Sequence, residues 1–256
     1  YEMSASLVGS EMCIRDRIIP FVSCSDNTLS LIDKDFKLKR YKVANDRIIK
    51  YIGSNKFKDN EIKSEWYFLY GLSEFFLKNY SKSAELFKTS GNYKALFFLG
   101  VVNVKDDRYK EAYIAFTESY NLLKNRGEEY NIYYEYLDDI LLYNRLLSSF
   151  SIKNSINTNR IIEIILKKSD NMNLICWAKL IDSIINNRSM PIQNAGNFLN
   201  YKKKYKIAIF RKDCIPFCFE IPSYKDFIIA NNFPSYELII NFWKQELFTR
   251  LGTWKK

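Results

Sequence analysis

Histidine is absent from all 256 residues. That removes histidine general bases, Ser-His-Asp and Cys-His nucleophilic systems, and histidine-ligated zinc or haem. Any catalysis would rest on carboxylates, lysine, tyrosine or cysteine. Glycine is scarce at eight residues and proline at five, which disfavours a turn-dense β fold. No glycine-rich phosphate loop occurs, because Gly71 and Gly100 stand alone inside helical patterns. From Ser25 onward no run of about 18 apolar residues exists, so that part holds no candidate membrane span. No cofactor is implied, and the few cysteines have neither the number nor the spacing of a metal site.

What the chain does have is apolar bulk: 47% hydrophobic residues, 16% aromatic, and a net charge of +10. That suffices for one elongated or two compact domains. Three stretches share one spacing: Tyr41 to Ile48, Tyr80 to Phe87 and Tyr109 to Phe116. Each has an aromatic residue, a small residue three later and a large apolar residue four after that. The small residue admits a neighbouring helix, and the apolar residue one turn on fills the space beside it. The pattern predicts helical hairpins. The expected pairs are Asp26–Lys39 with Tyr41–Ile52, Ser64–Leu77 with Ser81–Lys88, and Lys94–Val104 with Lys110–Lys124.

Within the first helices of the second and third pairs, Tyr67-x-x-Tyr70-Gly71 and Leu96-x-x-Leu99-Gly100 occupy equivalent places. With Tyr109, Ala112, Phe116 and Ser119 added, the third unit resembles the tetratricopeptide repeat family. The resemblance covers about residues 26–124. The small residues Ala44, Ser83 and Ala112 are 39 and 29 apart, against a family period of 34, so the repeats are degenerate. The resemblance implies an all-α solenoid of helix-turn-helix repeats. It also implies a concave surface, lined by the first helices, that holds an extended partner. By position, that groove would present Phe68, Leu72, Phe76, Lys94, Phe97, Val101 and Lys105, a mix suited to apolar side chains and an acidic group.

After Lys124 the helical pattern continues while the repeat fades. Helices are expected over Glu129–Phe150, Asn159–Lys168, Asn171–Asn187 and Ala195–Phe210, then Tyr224–Ala230 and Ser235–Arg250. Ser149–Asn159 reads as a polar break between subdomains, and Cys214–Pro222 as an extended linker. The organisation is then a repeat domain over 24–150, further helical hairpins over 151–212, and a linker with C-terminal helices over 213–256.

The N-terminal segments read differently. Residues 1–17, YEMSASLVGSEMCIRDR, resemble a translated sequencing adapter and are set aside from fold reasoning. Without their two arginines and three acidic residues the net charge is +11. Residues 18–23 then resemble the tail of a bacterial signal peptide. Phe21-Val22-Ser23-Cys24 resembles a lipobox, which implies lipidation of Cys24 and a periplasm-facing place in the cell envelope. Partners expected there are an envelope protein or peptide, the membrane through the anchor, and peptidoglycan.

Two further features complete the reading. The basic run Lys202, Lys203, Lys204 and Lys206 is interleaved with Tyr201 and Tyr205. No nucleic-acid motif accompanies it, so a solvated helix face is expected, with anionic envelope surfaces as a second reading. Residues 221–248 resemble the entry to the catalytic domain of soluble lytic transglycosylases. That resemblance implies a general acid at Glu246, preceded by Gln245, with Phe242 and Trp243 as an apolar wall. Leu247 replaces the serine expected there. The reading carried forward is a non-catalytic protein-binding scaffold; the alternative is the superhelical arm of such an enzyme.

Overall fold

A computed structural model describes residues 23–54, 57, 59–125, 132–187, 206–208, 216–218, 221–231 and 234–251. The fold is all-α, as expected from the hairpin pattern. Helices α1 (Ser23–Lys37) to α9 (Met172–Ile185) follow one another, and each packs on the next. Between them come α2 (Tyr41–Ser54), α3 (Asn60–Phe76), α4 (Tyr80–Ser90), α5 (Tyr93–Lys105), α6 (Tyr109–Lys124), α7 (Ile132–Ser151) and α8 (Ser155–Lys168). Alternate helices also touch, α3 with α5 and α7 with α9. Sequential packing with contact between first helices is the signature of a helical-repeat solenoid. Two short strands, β1 (Lys206–Ala208) and β2 (Pro216–Cys218), pair antiparallel, and β1 lies against α7. Helices α10 (Tyr224–Ala230) and α11 (Tyr236–Leu251) then fold back onto the stack.

One turn builds four hairpins. Lys39, Lys78, Asp107 and Lys153 all have positive φ, between 54° and 67°. At each, the turn residue's N–H donates three residues back, and the next N–H donates five residues back. These paired bonds satisfy the loose carbonyls at the end of the first helix. Positions counted from the turn residue therefore coincide in all four units. Four before it a polar residue is buried: Asp35, Glu74, Asn103 and Ser149. Five after it a small residue is fully buried: Ala44, Ser83, Ala112 and Thr158.

Seven before and nine after the turn, the units trade volume. In the middle units Gly71 and Gly100 sit beneath Phe87 and Phe116; a Cβ on Gly100 would lie 2.5 Å from the Phe116 ring. The outer units hold Ile32 with Ile48 and Leu146 with Ile162 at these positions, all buried. A glycine opposite a phenylalanine, or two branched aliphatics, fills a similar space. Buried hydroxyls tie the helices further. Ser83 Oγ donates to the Gly71 carbonyl at 2.9 Å, and Ser119 Oγ to the Tyr93 carbonyl at 2.6 Å.

Several boundaries differ from the sequence expectation. The repeat extends beyond Lys124, because α7 and α8 form a fourth unit. Its fourth small residue is threonine, and Thr158 Oγ1 satisfies itself on the Asn154 carbonyl and on Ser149 Oγ. Ser149–Asn159 is therefore the inside of a hairpin and not a break. Ala195–Phe210 is not one helix, since residues 206–208 are a strand. The expected linker is extended at β2, as read, but it is paired there.

Candidate partner-binding face

Helices α5 and α7, the first helices of the third and fourth units, share a face that α11 touches. Every residue from Tyr93 to Val104 on α5 is buried except Lys94. A helix apolar all round is enclosed all round. The enclosure comes from α3, α4, α6 and, from the far end of the chain, α11. Helix α11 runs across α7 and α5. Trp243 Nε1 donates to Asn144 Oδ1 at 3.0 Å, both residues being buried. The Trp243 ring lies 6.2 Å from that of Tyr109. Tyr236 donates its hydroxyl to the Ser151 carbonyl at 2.5 Å, and Lys244 pairs with Asp107 at 2.6 Å. Near its end, Phe248 meets Lys105, whose Nζ is 6.0 Å from the ring centre. This face of the third and fourth units is thus occupied by the chain's own helix.

A second anchor holds the returning segment on α9. Trp177 Nε1 donates to the Pro222 carbonyl at 2.8 Å, and Asn173 Nδ2 to the same carbonyl at 2.9 Å. Phe227 and Phe242 pack on the Trp177 ring at 4.9 and 5.9 Å. Neighbouring Cys176 is buried, which pushes its thiol up to about 11 and makes it a core residue rather than a nucleophile.

The expected groove residues divide into two groups. Phe68, Leu72, Phe97 and Val101 are buried, so they form core between helices and are not presented to a partner. Phe68 packs on Phe87 and Phe98, and Phe97 on Phe98 and Phe116. Phe76, Lys94 and Lys105 keep partial exposure. Lys94 pairs with Glu65 at 2.8 Å, while Lys105 lies over the Tyr80 ring at 4.7 Å. The physical reason for the division is aromatic density. Four phenylalanines, Phe68, Phe75, Phe87 and Phe98, meet between the second and third units and draw the helices together.

Sequence reading missed the polar row at the ends of the first helices. Asp35 is buried and accepts from Arg40 at 2.5 Å and Arg47 at 2.8 Å. Glu74 is buried and accepts from Lys82 at 2.6 Å and Asn79 at 2.7 Å. Burial acts to raise the Glu74 carboxyl, but bonds from Lys82, Asn79 and Asn45 outweigh it and hold the carboxyl below its usual range. Asp139 goes the other way: burial raises it despite bonds from Ser169 and Asn171. The signal available in sequence was an acidic residue four positions before each of the first two turns, Asp35 and Glu74.

The remaining expectations fall as follows. Glu246 is partly exposed on α11, and its expected apolar wall is turned to other tasks, Trp243 on Asn144 and Phe242 on Trp177. Cys24 lies in the first turn of α1, and its side chain is outside the described residues, as are residues 1–22. Lys202, Lys203, Lys204 and Cys214 are also outside them, while Lys206 opens β1 opposite Cys218. Among the described residues no helix is long and apolar enough to cross a membrane, and no three His, Cys, Asp or Glu side chains gather into a metal site.

No family model, curated protein or solved structure matches the chain.

Proposed function

We propose that this protein is a non-catalytic scaffold that holds another protein along its stacked helical units. The observation that carries this is the seating of α11. A helix lies across the first helices of two units through one buried indole, one buried amide and one rim ion pair. A buried aromatic anchor with a polar rim is how helices dock in trans. A face that takes a helix in cis on two units has the chemistry to take one on the others. The lipobox resemblance at Phe21–Cys24 supports an envelope location, with a lipid on Cys24 as the anchor.

The test is capture of partners from a bacterial envelope fraction by the full chain. The competing variant carries Phe76→Ala, Lys94→Glu and Lys105→Glu, whose side chains reach the surface. Phe68 and Phe97 are unsuitable, since truncating buried phenylalanine costs about 3–5 kcal/mol of stability. The expected result is a protein retained by the parent and lost by the variant, with matched melting curves. Retention by neither, or equally by both, would overturn the reading.

A further inference from the structure

The turn edge continues along the first two units, and there both turn residues are lysines. Two residues after the turn, units one to three each place a tyrosine: Tyr41, Tyr80 and Tyr109. Each meets something from the next position along the stack. Tyr41 stacks on Phe76 at 4.7 Å with rings 13° from parallel, and Tyr80 lies under Lys105. Both Phe76 and Lys105 stand two before their own turn residue. The fourth unit has only Ser151 at that place, and Trp243 of α11 takes the position over Tyr109. So α11 sits where the row of stacked side chains lapses, and the row goes on without it over units one and two.

The turn residues decide what suits that remaining stretch. In unit three the turn residue is Asp107, and α11 answers with Lys244; in unit four it is Lys153, which lies over the Tyr236 ring of α11. In units one and two it is Lys39 and Lys78, both exposed. Neither makes an ion pair among the described residues, whereas Lys37, Arg40 and Lys82 are each paired. No acidic residue occurs in Lys37–Lys42 or Leu77–Lys82. Leu38, one before the first turn, is 54% exposed and gives the edge an apolar spot.

We infer that the turn edge of the first two units docks an acidic helix of a partner protein, in line with α11. The partner places a carboxylate where α11 places Lys244, against Lys78 and Lys39, and an apolar side chain on the Tyr41–Phe76 stack. This rests on the scaffold reading and names the chemistry of its partner. Charge at such a rim selects among partners and speeds encounter, while the aromatic platform supplies the buried area. An anionic membrane would use the same lysines but would ignore their register with α11.

The test uses a labelled synthetic peptide of residues 234–251 carrying Lys244→Glu, with binding to the full chain read by fluorescence anisotropy. The expected result is saturable binding that weakens about tenfold on Lys39→Glu with Lys78→Glu. The peptide with its native Lys244 should bind the parent about tenfold more weakly and recover on that charge-reversed chain. Equal binding of the two peptides, or no saturable binding, overturns the inference. So does binding to phosphatidylglycerol vesicles that the same two substitutions abolish while the peptide fails to bind. The charge-reversed surface residues keep their helices, which circular dichroism checks. If the envelope partner found by capture stays bound to the Lys39→Glu, Lys78→Glu chain, this edge is refuted while the scaffold reading stands.

Discussion

Replacing Gly100 with alanine tests the volume exchange that shapes the middle units. The added Cβ would lie 2.5, 2.7 and 2.8 Å from three atoms of the Phe116 ring. Comfortable carbon contacts lie near 3.5–4.0 Å, so α5 and α6 must separate by about 1 Å or the ring must turn. Phe116 is fully buried, and close-packed interiors leave a ring little room to turn. Overpacking of this kind costs about 1–3 kcal/mol. The helix propensity gained on replacing glycine by alanine returns about 1 kcal/mol. Three contacts under 3 Å place this site in the upper part of the overpacking range, at about 2–3 kcal/mol, so the expected net loss is about 1–2 kcal/mol, read as a lower urea midpoint at unchanged slope. Phe116→Ile alone removes ring volume and costs about 1–3 kcal/mol. Together the two substitutions recreate the aliphatic pairing of Ile32 with Ile48 and Leu146 with Ile162. Their combined loss should fall short of the sum by about 1 kcal/mol or more. A neutral or stabilising Gly100→Ala, or strict additivity in the double-mutant cycle, would refute the reasoning.

Other perturbations probe other parts of the fold. Lys78→Gly relieves a side chain held at φ 67° and should raise stability by about 1 kcal/mol, seen as a higher melting temperature. Trp243→Phe keeps most of the ring but strips Asn144 Oδ1 of its buried donor, so stability should fall by about 1–3 kcal/mol by urea titration. Helix α11 should then exchange its amide protons faster than α5. Glu74 has a depressed carboxyl, so its contribution is present above the unfolded value of about 4.3 and is lost as pH falls through the folded value. The urea midpoint of the parent should drop across that acid window, and Glu74→Gln should flatten the drop while lowering stability at pH 7.

Local order was legible in the sequence because it depends on local chemistry. Tyr80, Tyr109 and Tyr224 were expected at helix starts to within a residue, and they open α4, α6 and α10. The small residues Ala44, Ser83 and Ala112 marked the close approach of paired helices, and all three are fully buried. The fourth unit escaped notice because Thr158 is bulkier and branched, unlike the alanine or serine at that place in the other three units. Only its two hydrogen bonds inside the hairpin make threonine acceptable there. Likewise, Lys39, Lys78, Asp107 and Lys153 do not look like left-handed turn residues, since glycine is the usual occupant.

The sequence by itself determined the first three helical pairs and the all-α class, because spacing along one helix dictates which side chains share a face. Tertiary structure alone decided which face was open. Phe68, Leu72, Phe97 and Val101 lie on first helices where a groove was expected, and their burial depends on how closely neighbouring units and α11 approach. The pairing of Trp243 with Asn144 spans 99 residues, and that of Lys244 with Asp107 spans 137. No local pattern encodes such contacts, because they follow from the shape of the stack once its units are assembled.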